Sequence, residues 1–362
     1  MSWGVRFLNI HRLSRILYKV ALLILLLALI FAVSGCAQKD IQTGAGVDTQ
    51  PDTQEDIQPG KEQEAEQSGT DDEAVDDEAE QKKSVDYIYG IPMDENAGVI
   101  VSSTADLYVS PDVKSSRITQ AIFNQPISII SDENGWAQVK TVDGNLGWMK
   151  SKNFDDDVSS VYGRMFTHRV IVTSREKSVY SYPSGGITLM VAPMGSEFYA
   201  INNIGDSYEV YLPGKRTGWL RGSGIIHVSL DEMIPITNAE DFASTALRLK
   251  GASYLLSGMS ASGIDAPGLV YVCARINGVN LPRTIKGQLA TGMEIKTEDA
   301  SIGDLVFLAG TGDKADEIVS VGICTGGSNY IYAGRKAGYV TIGDINRENK
   351  EGIVVSARRI FN

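Results

Sequence analysis

Two stretches of this chain repeat one pattern. "NGWAQVKTVDGNLGWMK" carries Gly147 and Trp148 near its end, and "DSYEVYLPGKRTGWLRGSG" carries Gly218 and Trp219, 71 residues further on. The segments ahead of them, "AGVIVSSTADLYVSPD" and "HRVIVTSREKSVYSYPS", also match. A repeat at this period means two copies of one small domain. Each copy has about 60 residues of short β-rich runs broken by Gly, Pro, Asp and Asn, with turn signals such as "ENG" and "DGN". A small closed β-barrel is the natural solution for many short strands. Trp148 and Trp219 are read as barrel core.

The rest of the chain divides around this pair. A length of 362 residues fits two or three domains. The net charge of -12 is uneven. Residues 1–35 carry Arg6, Arg12, Arg15 and Lys19 and no acid, whereas residues 37–83 hold 15 acids and 4 bases. The low isoelectric point therefore describes that one segment and says nothing about a substrate, and no basic face argues for nucleic acid. The segment lacks aromatic residues and is rich in Gln, Asp, Glu, Gly, Ser and Thr. It cannot bury enough apolar surface to offset its ordering entropy, so a disordered acidic tether is expected over residues 36–85.

Ahead of the tether stands "VALLILLLALIFAV", an apolar run of 14 residues. That is short for a membrane span, which needs roughly 20, and suits a signal-peptide core. "AVSGC" follows, and small residues just before a cysteine resemble a bacterial lipoprotein signal. The resemblance implies cleavage after residue 35 and lipidation of Cys36. The folded part would then sit on the extracytoplasmic face of the membrane, lipid-anchored in the cell envelope.

The two copies resemble the bacterial SH3 domain, whose usual form runs "LNVRSGPS … NGWYKV … GWV". Here the first copy reads "LYVSPD … NGWAQVKTVDGNLGWMK", and the second is looser, with Tyr208 where the first has Trp136. The expected bounds are residues 86–158 and 159–232.

The remainder, residues 233–362, begins with two helical patterns. "NAEDFASTALRLKGA" has Asn238 as N-cap and Phe242, Ala246 and Leu249 on one face. "GIDAPGLVYVCARINGV" is capped by Asp265, tolerates Pro267 in its first turn and ends at Gly278. "GDLVFLAG", "IVSVGICTGG", "NYIYAGRKAGYVTI" and "GIVVSARRI" read as four strands. Helices followed by an antiparallel sheet make an α+β unit, so the chain is expected to be multidomain, with two small all-β barrels and one α+β domain.

This last unit resembles the NlpC/p60 family of papain-like cell-wall peptidases. The residues that carry the likeness are "SYLLSG", "GIDAPGLV", "LPRTIKGQ", "GDLVFL", "VSVGICTGGSNYIYA" and "SARRI", in the family's order. The family's chemistry uses a cysteine thiolate at a helix N-terminus, a histidine base and a third polar residue that orients the ring. The matching positions hold Ala266, Ser320 and Tyr332. Pro267 replaces the serine after the cysteine, Leu256 a tryptophan and Ser257 a glycine. The histidines, His11, His168 and His227, all lie outside this unit. Cys273 is seven residues past Ala266, about 10 Å along the helix, too far to act on the same bond. Cys273 and Cys324 read as buried hydrophobes, and whether they pair is open.

The resemblance places Tyr254 and Asp265 where family members hold the substrate's free amino end, and Arg283 is a further candidate that also reads as a surface charge. A retained peptide groove and simple retention of the fold are both open, and Asp265 also serves as a helix cap. The expectation is a surface lipoprotein that binds cell-wall stem peptide or an envelope protein partner and is not an enzyme. The alternative is an active cell-wall hydrolase of the γ-D-glutamyl–diamino-acid endopeptidase class with a rearranged site. No cofactor and no metal site are expected, because there is no His cluster and no paired Cys.

Overall fold

A computed structural model describes residues 94–163 and 165–361. The apolar run, Cys36 and the acidic tether lie outside the described residues. Among those described, no helix is long and apolar enough to cross a membrane.

The first repeat forms seven strands: β1 (Ala97–Ile100), β2 (Thr104–Tyr108), β3 (Arg117–Ile122), β4 (Pro126–Glu133), β5 (Trp136–Lys140), β6 (Leu146–Lys150) and β7 (Phe154–Asp155). Their order is β3-β2-β6-β5-β4-β1-β7. The second repeat forms β8 (His168–Val172), β9 (Glu176–Tyr182), β10 (Gly185–Pro193), β11 (Glu197–Ile204), β12 (Ser207–Leu212), β13 (Arg216–Arg221) and β14 (Ile225–Ser229). Its order, β10-β9-β13-β12-β11-β8-β14, is the same topology strand for strand. Alternation along β2 and β5 sends Ala105, Leu107, Ala137 and Val139 into one core with Met149 and Phe154.

The repeated Gly-Trp pair has a packing reason. A Cβ on Gly147 would lie 2.7 Å from the Tyr108 carbonyl oxygen, and one on Gly218 would lie 2.5 Å from Val179 Cγ1. Glycine lets β6 and β13 cross their neighbours closely. The tryptophans that follow differ. Trp219 is 8 % exposed, in keeping with the core reading. Trp148 is only half-buried, because Met149 takes the inward position of β6. That part of the core expectation is corrected.

The third unit opens with α1 (Ala239–Leu247), whose N-cap Asn238 accepts a hydrogen bond from the Asp241 N–H. The short pair β15 (Met259–Ser260) and β16 (Gly263–Ile264) leads into α2 (Ala266–Ile276), and α3 (Ile285–Leu289) follows. A six-stranded sheet covers them, made of β17 (Met293–Ile295), β18 (Leu305–Ala309), β19 (Ile318–Gly326), β20 (Asn329–Gly334), β21 (Tyr339–Asp344) and β22 (Ile353–Arg359), in the order β17-β22-β18-β19-β20-β21. The stretch "NYIYAGRKAGYVTI", read above as one strand, is two. The chain reverses between Gly334 and Tyr339, with Gly338 at φ +84°, and β20 pairs with β21 from Asn329↔Asp344 to Gly334↔Tyr339. The helices pack on one face of the sheet, so Phe242, Leu269, Val270 and Cys273 share a core with Phe307, Val321, Ile323 and Ile331. The architecture is multidomain, two all-β SH3-like units and one α+β papain-like unit.

Candidate functional site

The N-terminus of α2 is where the sequence placed a missing nucleophile, and the fold builds a cleft of about 600 Å³ there. Tyr254, Leu256, Asp265, Ala266, Pro267 and Ser320 line it. A second set of lining residues comes from the connections between strands: Thr311 and Lys314 between β18 and β19, Arg335 and Lys336 between β20 and β21, and Glu351 just before β22.

Asp265 organises the floor. As N-cap it accepts the Gly268 N–H on Oδ1 at 2.8 Å and the Ser257 N–H on Oδ2 at 2.8 Å. Arg283 Nη2 lies 2.9 Å from Oδ1 and also donates to the Gly258 carbonyl at 3.1 Å. Both side chains are nearly sealed from solvent. Burial pushes the Asp265 carboxyl up from its ordinary value, opposed by the Arg283 charge and the two backbone N–H groups. Only glycine fits at 268, where a Cβ would stand 2.4 Å from the Gly258 carbonyl oxygen.

Ser257 stands where the family resemblance has a glycine, and its φ of +61° is the left-handed conformation a glycine would take freely. The strain is held by contacts on both sides. The Ser257 N–H is fixed on Asp265, and its hydroxyl donates to the Arg117 carbonyl of β3 at 3.1 Å. Arg117 in turn donates to the Leu256 carbonyl at 3.0 Å, and the Met259 N–H donates to Gln120 Oε1 at 3.0 Å. The first SH3-like unit therefore grips the loop that frames the cleft. Asp106 anchors the grip, accepting from Arg117 Nε at 2.7 Å, Gln120 Nε2 at 2.8 Å and the Tyr108 hydroxyl at 2.9 Å.

The sequence-derived site residues are only partly brought together. Tyr254, Asp265, Ala266 and Ser320 line one cleft, and Arg283 lies behind it on Asp265. Tyr332 does not line the cleft. It is 4 % exposed and packs on Tyr330, ring centroids 5.3 Å apart, in a cluster with Val306, Leu308 and Cys324. Tyr254 is half-buried, and its hydroxyl is raised by burial first and by the Asp265 charge second. Cys273 and Cys324 are buried, free thiols and form no disulfide. Burial drives Cys273 far above its ordinary value and pushes Cys324 up to about 12, so neither is a nucleophile at neutral pH. Among the described residues no three His, Cys, Asp or Glu side chains converge as a metal site.

Glu351, Arg335, Lys336 and Lys314 were not singled out in the sequence. Glu351 is 7 % exposed, and its Oε1 accepts the Lys336 N–H. The missing signal was the β20–β21 turn, since a continuous strand would have pointed Arg335 and Lys336 to opposite faces.

The class is now defined. Residues 251–359 match the NlpC/P60 family and residues 103–155 the bacterial SH3 domain, so the chain carries an NlpC/P60 domain behind SH3-like units. It is similar to the γ-D-glutamyl-L-lysine dipeptidyl-peptidase of Bacillus subtilis, 23 % identical over 73 % of this chain and 98 % of the relative. Dipeptidyl-peptidase 6 of Lysinibacillus sphaericus is 24 % identical over 69 % of this chain and 92 % of the relative. A crystal structure of an NlpC/P60 family protein from Bacillus cereus superposes with a TM-score of 0.64 at 22 % identity, covering 74 % of this chain and all of that one. These findings overturn the expectation that the chain is not an enzyme. Relatives matched over nearly their whole length are named peptidases. Ala266 offers only a methyl group where the family resemblance places the nucleophile.

Proposed function

We propose that this chain hydrolyses cell-wall stem peptides, in the γ-D-glutamyl–diamino-acid endopeptidase class, through a rearranged catalytic site. The observation that carries the reading is the open cleft at the α2 N-terminus, lined by Tyr254 and Asp265, in a chain whose near-full-length relatives are peptidases. Asp265 and Tyr254 line the cleft together, and a carboxylate beside a phenol is a fit for a peptide's free ammonium. With no thiol at position 266, water is the nucleophile. The Glu351 carboxylate takes a proton from that water as its oxygen attacks the scissile carbonyl, and the resulting carboxylic acid returns that proton to the departing amine as the C–N bond breaks. The positive end of the α2 dipole favours the negative charge that develops on the carbonyl oxygen. Lipidation at Cys36 would hold this activity at the outer face of the membrane, the acidic tether spanning the gap to the wall.

The test is release of new amino groups from muropeptides by purified protein. The wild type should release them, and Glu351→Gln should lose most of that rate with peptide affinity kept. Peptide bound without any cleavage would sink the catalytic reading, and cleavage undiminished in Glu351→Gln would remove Glu351 from it. For the anchor, wild-type protein should partition into detergent and Cys36→Ala should not. Equal partitioning of the two would refute lipidation.

A further inference from the structure

His168 and His227 stand far apart in the chain, one opening β8 and the other within β14, and the second SH3-like unit brings them together. β14 pairs antiparallel with β8, and Ser229 stands opposite His168. His227 is two residues from Ser229, so both imidazoles project from one face as diagonal neighbours. Their ring centroids are 5.8 Å apart. His227 is exposed and His168 half-buried, so ions in solution reach both. Neither lines the cleft at the α2 N-terminus.

Each ring is held through its Nδ1. The Thr167 hydroxyl gives its proton to the Ala200 carbonyl at 3.2 Å, so its oxygen is left to accept from His168 Nδ1, 3.1 Å away. His168 is then the Nδ1–H tautomer, with its lone pair on Nε2. His227 Nδ1 meets the hydroxyl of Tyr208, a residue of β12 that is 8 % exposed, at 2.8 Å. Neither Nε2 makes a hydrogen bond among the described residues.

We propose that His168 and His227 form a two-imidazole site for a divalent transition-metal ion of zinc's kind, bound through the two Nε2 atoms. Histidines that ligate metals donate their other ring N–H to a fixed oxygen, which sets tautomer and ring orientation. Thr167 supplies that oxygen to His168, and Tyr208 supplies it to His227 once the His227 proton sits on Nδ1. Two imidazoles on one tetrahedral ion, each nitrogen about 2.0–2.1 Å from it, set their ring centroids roughly 5 Å apart, so an approach of under about 1 Å closes the site. Imidazole suits zinc, copper and nickel, whereas magnesium and calcium take oxygen ligands. Two coordination positions stay with water, which leaves the ion open to a ligand from outside the chain.

The experiment titrates the metal-free full chain with zinc chloride by calorimetry. Wild type should bind one zinc ion more than His168→Gln/His227→Gln does. Each single variant should weaken binding of that ion by about tenfold or more, and the double variant should lose little beyond either, because one substitution already breaks the chelate. Magnesium in excess should not compete. Copper(II) bound in place of zinc should show two nitrogen ligands by electron paramagnetic resonance, and one in either single variant. Glutamine keeps a polar group beside Thr167 or Tyr208, and unchanged thermal unfolding of the metal-free variants verifies that the fold is intact. Zinc bound equally by wild type and the double variant sits elsewhere on the chain and overturns the site. A loss confined to one single variant, or a wild-type copper spectrum with one nitrogen, shows binding to a lone imidazole and overturns it as well.

Discussion

Asp265 and Arg283 show how one pair serves both fold and site. Each would be an isolated charge in a sealed place without the other, and removing one partner of a buried pair is strongly destabilising. Arg283→Ala should therefore lower stability by about 3–5 kcal/mol in denaturant unfolding. Arg283→Ala paired with Asp265→Asn should recover part of that loss, since no charge is left stranded. A single-variant loss below 1 kcal/mol would mean that water reaches the pair. Cysteine makes the opposite case. With Cys273 wholly buried and Cys324 raised to about 12, neither thiol should react with an aromatic disulfide reagent in the native protein. Both should react on unfolding. Rapid labelling of either under native conditions would show that α2 or the sheet opens locally.

At the scale of elements, the grip of β2 and β3 on the cleft loop turns on Asp106. Burial raises that carboxyl, but the hydrogen bonds from Gln120, Arg117 and Tyr108 outweigh it, and the net shift is downward. A carboxyl with a lowered folded value contributes stability that is fully present above the unfolded value, about 4, and is lost as pH falls through the folded value. Wild type should thus be more stable than Asp106→Asn at neutral pH, and the gap should close on acidification below about 4. A pH-independent gap in thermal unfolding would show that Asp106 acts only by shape. The same scale separates what could be read from the sequence from what could not. Caps were legible because Asn238 and Asp265 act within three residues of themselves, and both bonds are present. The repeat was legible because closeness at Gly147 and Gly218 admits only glycine. The turn after β20 was not, because β-rich residues flank it on both sides and only its glycines interrupt them. That omission hid Arg335 and Lys336. The side on which Tyr332 packs was equally out of reach, since it depends on how β20 pairs with β19 across the shift between Cys324 and Gly326.

At the scale of the whole molecule, the units are not beads on a string. The core under α1 and α2 includes Ile122 from the first SH3-like unit and Ile171, Met194 and Val228 from the second. Charge crosses the same boundary. Glu197 of β11 is 2 % exposed, pairs with Arg169 at 3.0 Å and with Arg275 of α2 at 3.2 Å, and Arg169 also donates to the Glu232 carbonyl at 2.6 Å. Arg169 Nε is buried without a hydrogen-bond partner, and Arg169 lines a cavity of about 20 Å³, space enough for one water. Cutting the chain before residue 233 would uncover Val272, which lies beside Gly195, remove four apolar side chains from the shared core and take Glu197 from Arg275. Each large apolar side chain returned to water costs about 1.5–3 kcal/mol, so the loss is comparable with the whole stability of a domain. The isolated fragment 233–362 should be insoluble or should melt far below the 94–362 protein. Glu197→Ala in the intact chain should lower stability by about 3–5 kcal/mol, because the buried Arg169 guanidinium and the half-buried one of Arg275 lose their common partner. Glu197→Gln should cost less, since its amide oxygen can still accept one hydrogen bond. A fragment that melts at the same temperature as the longer protein would show that the shared core contributes nothing, and the units would then have to be treated as independent folds joined by contact alone.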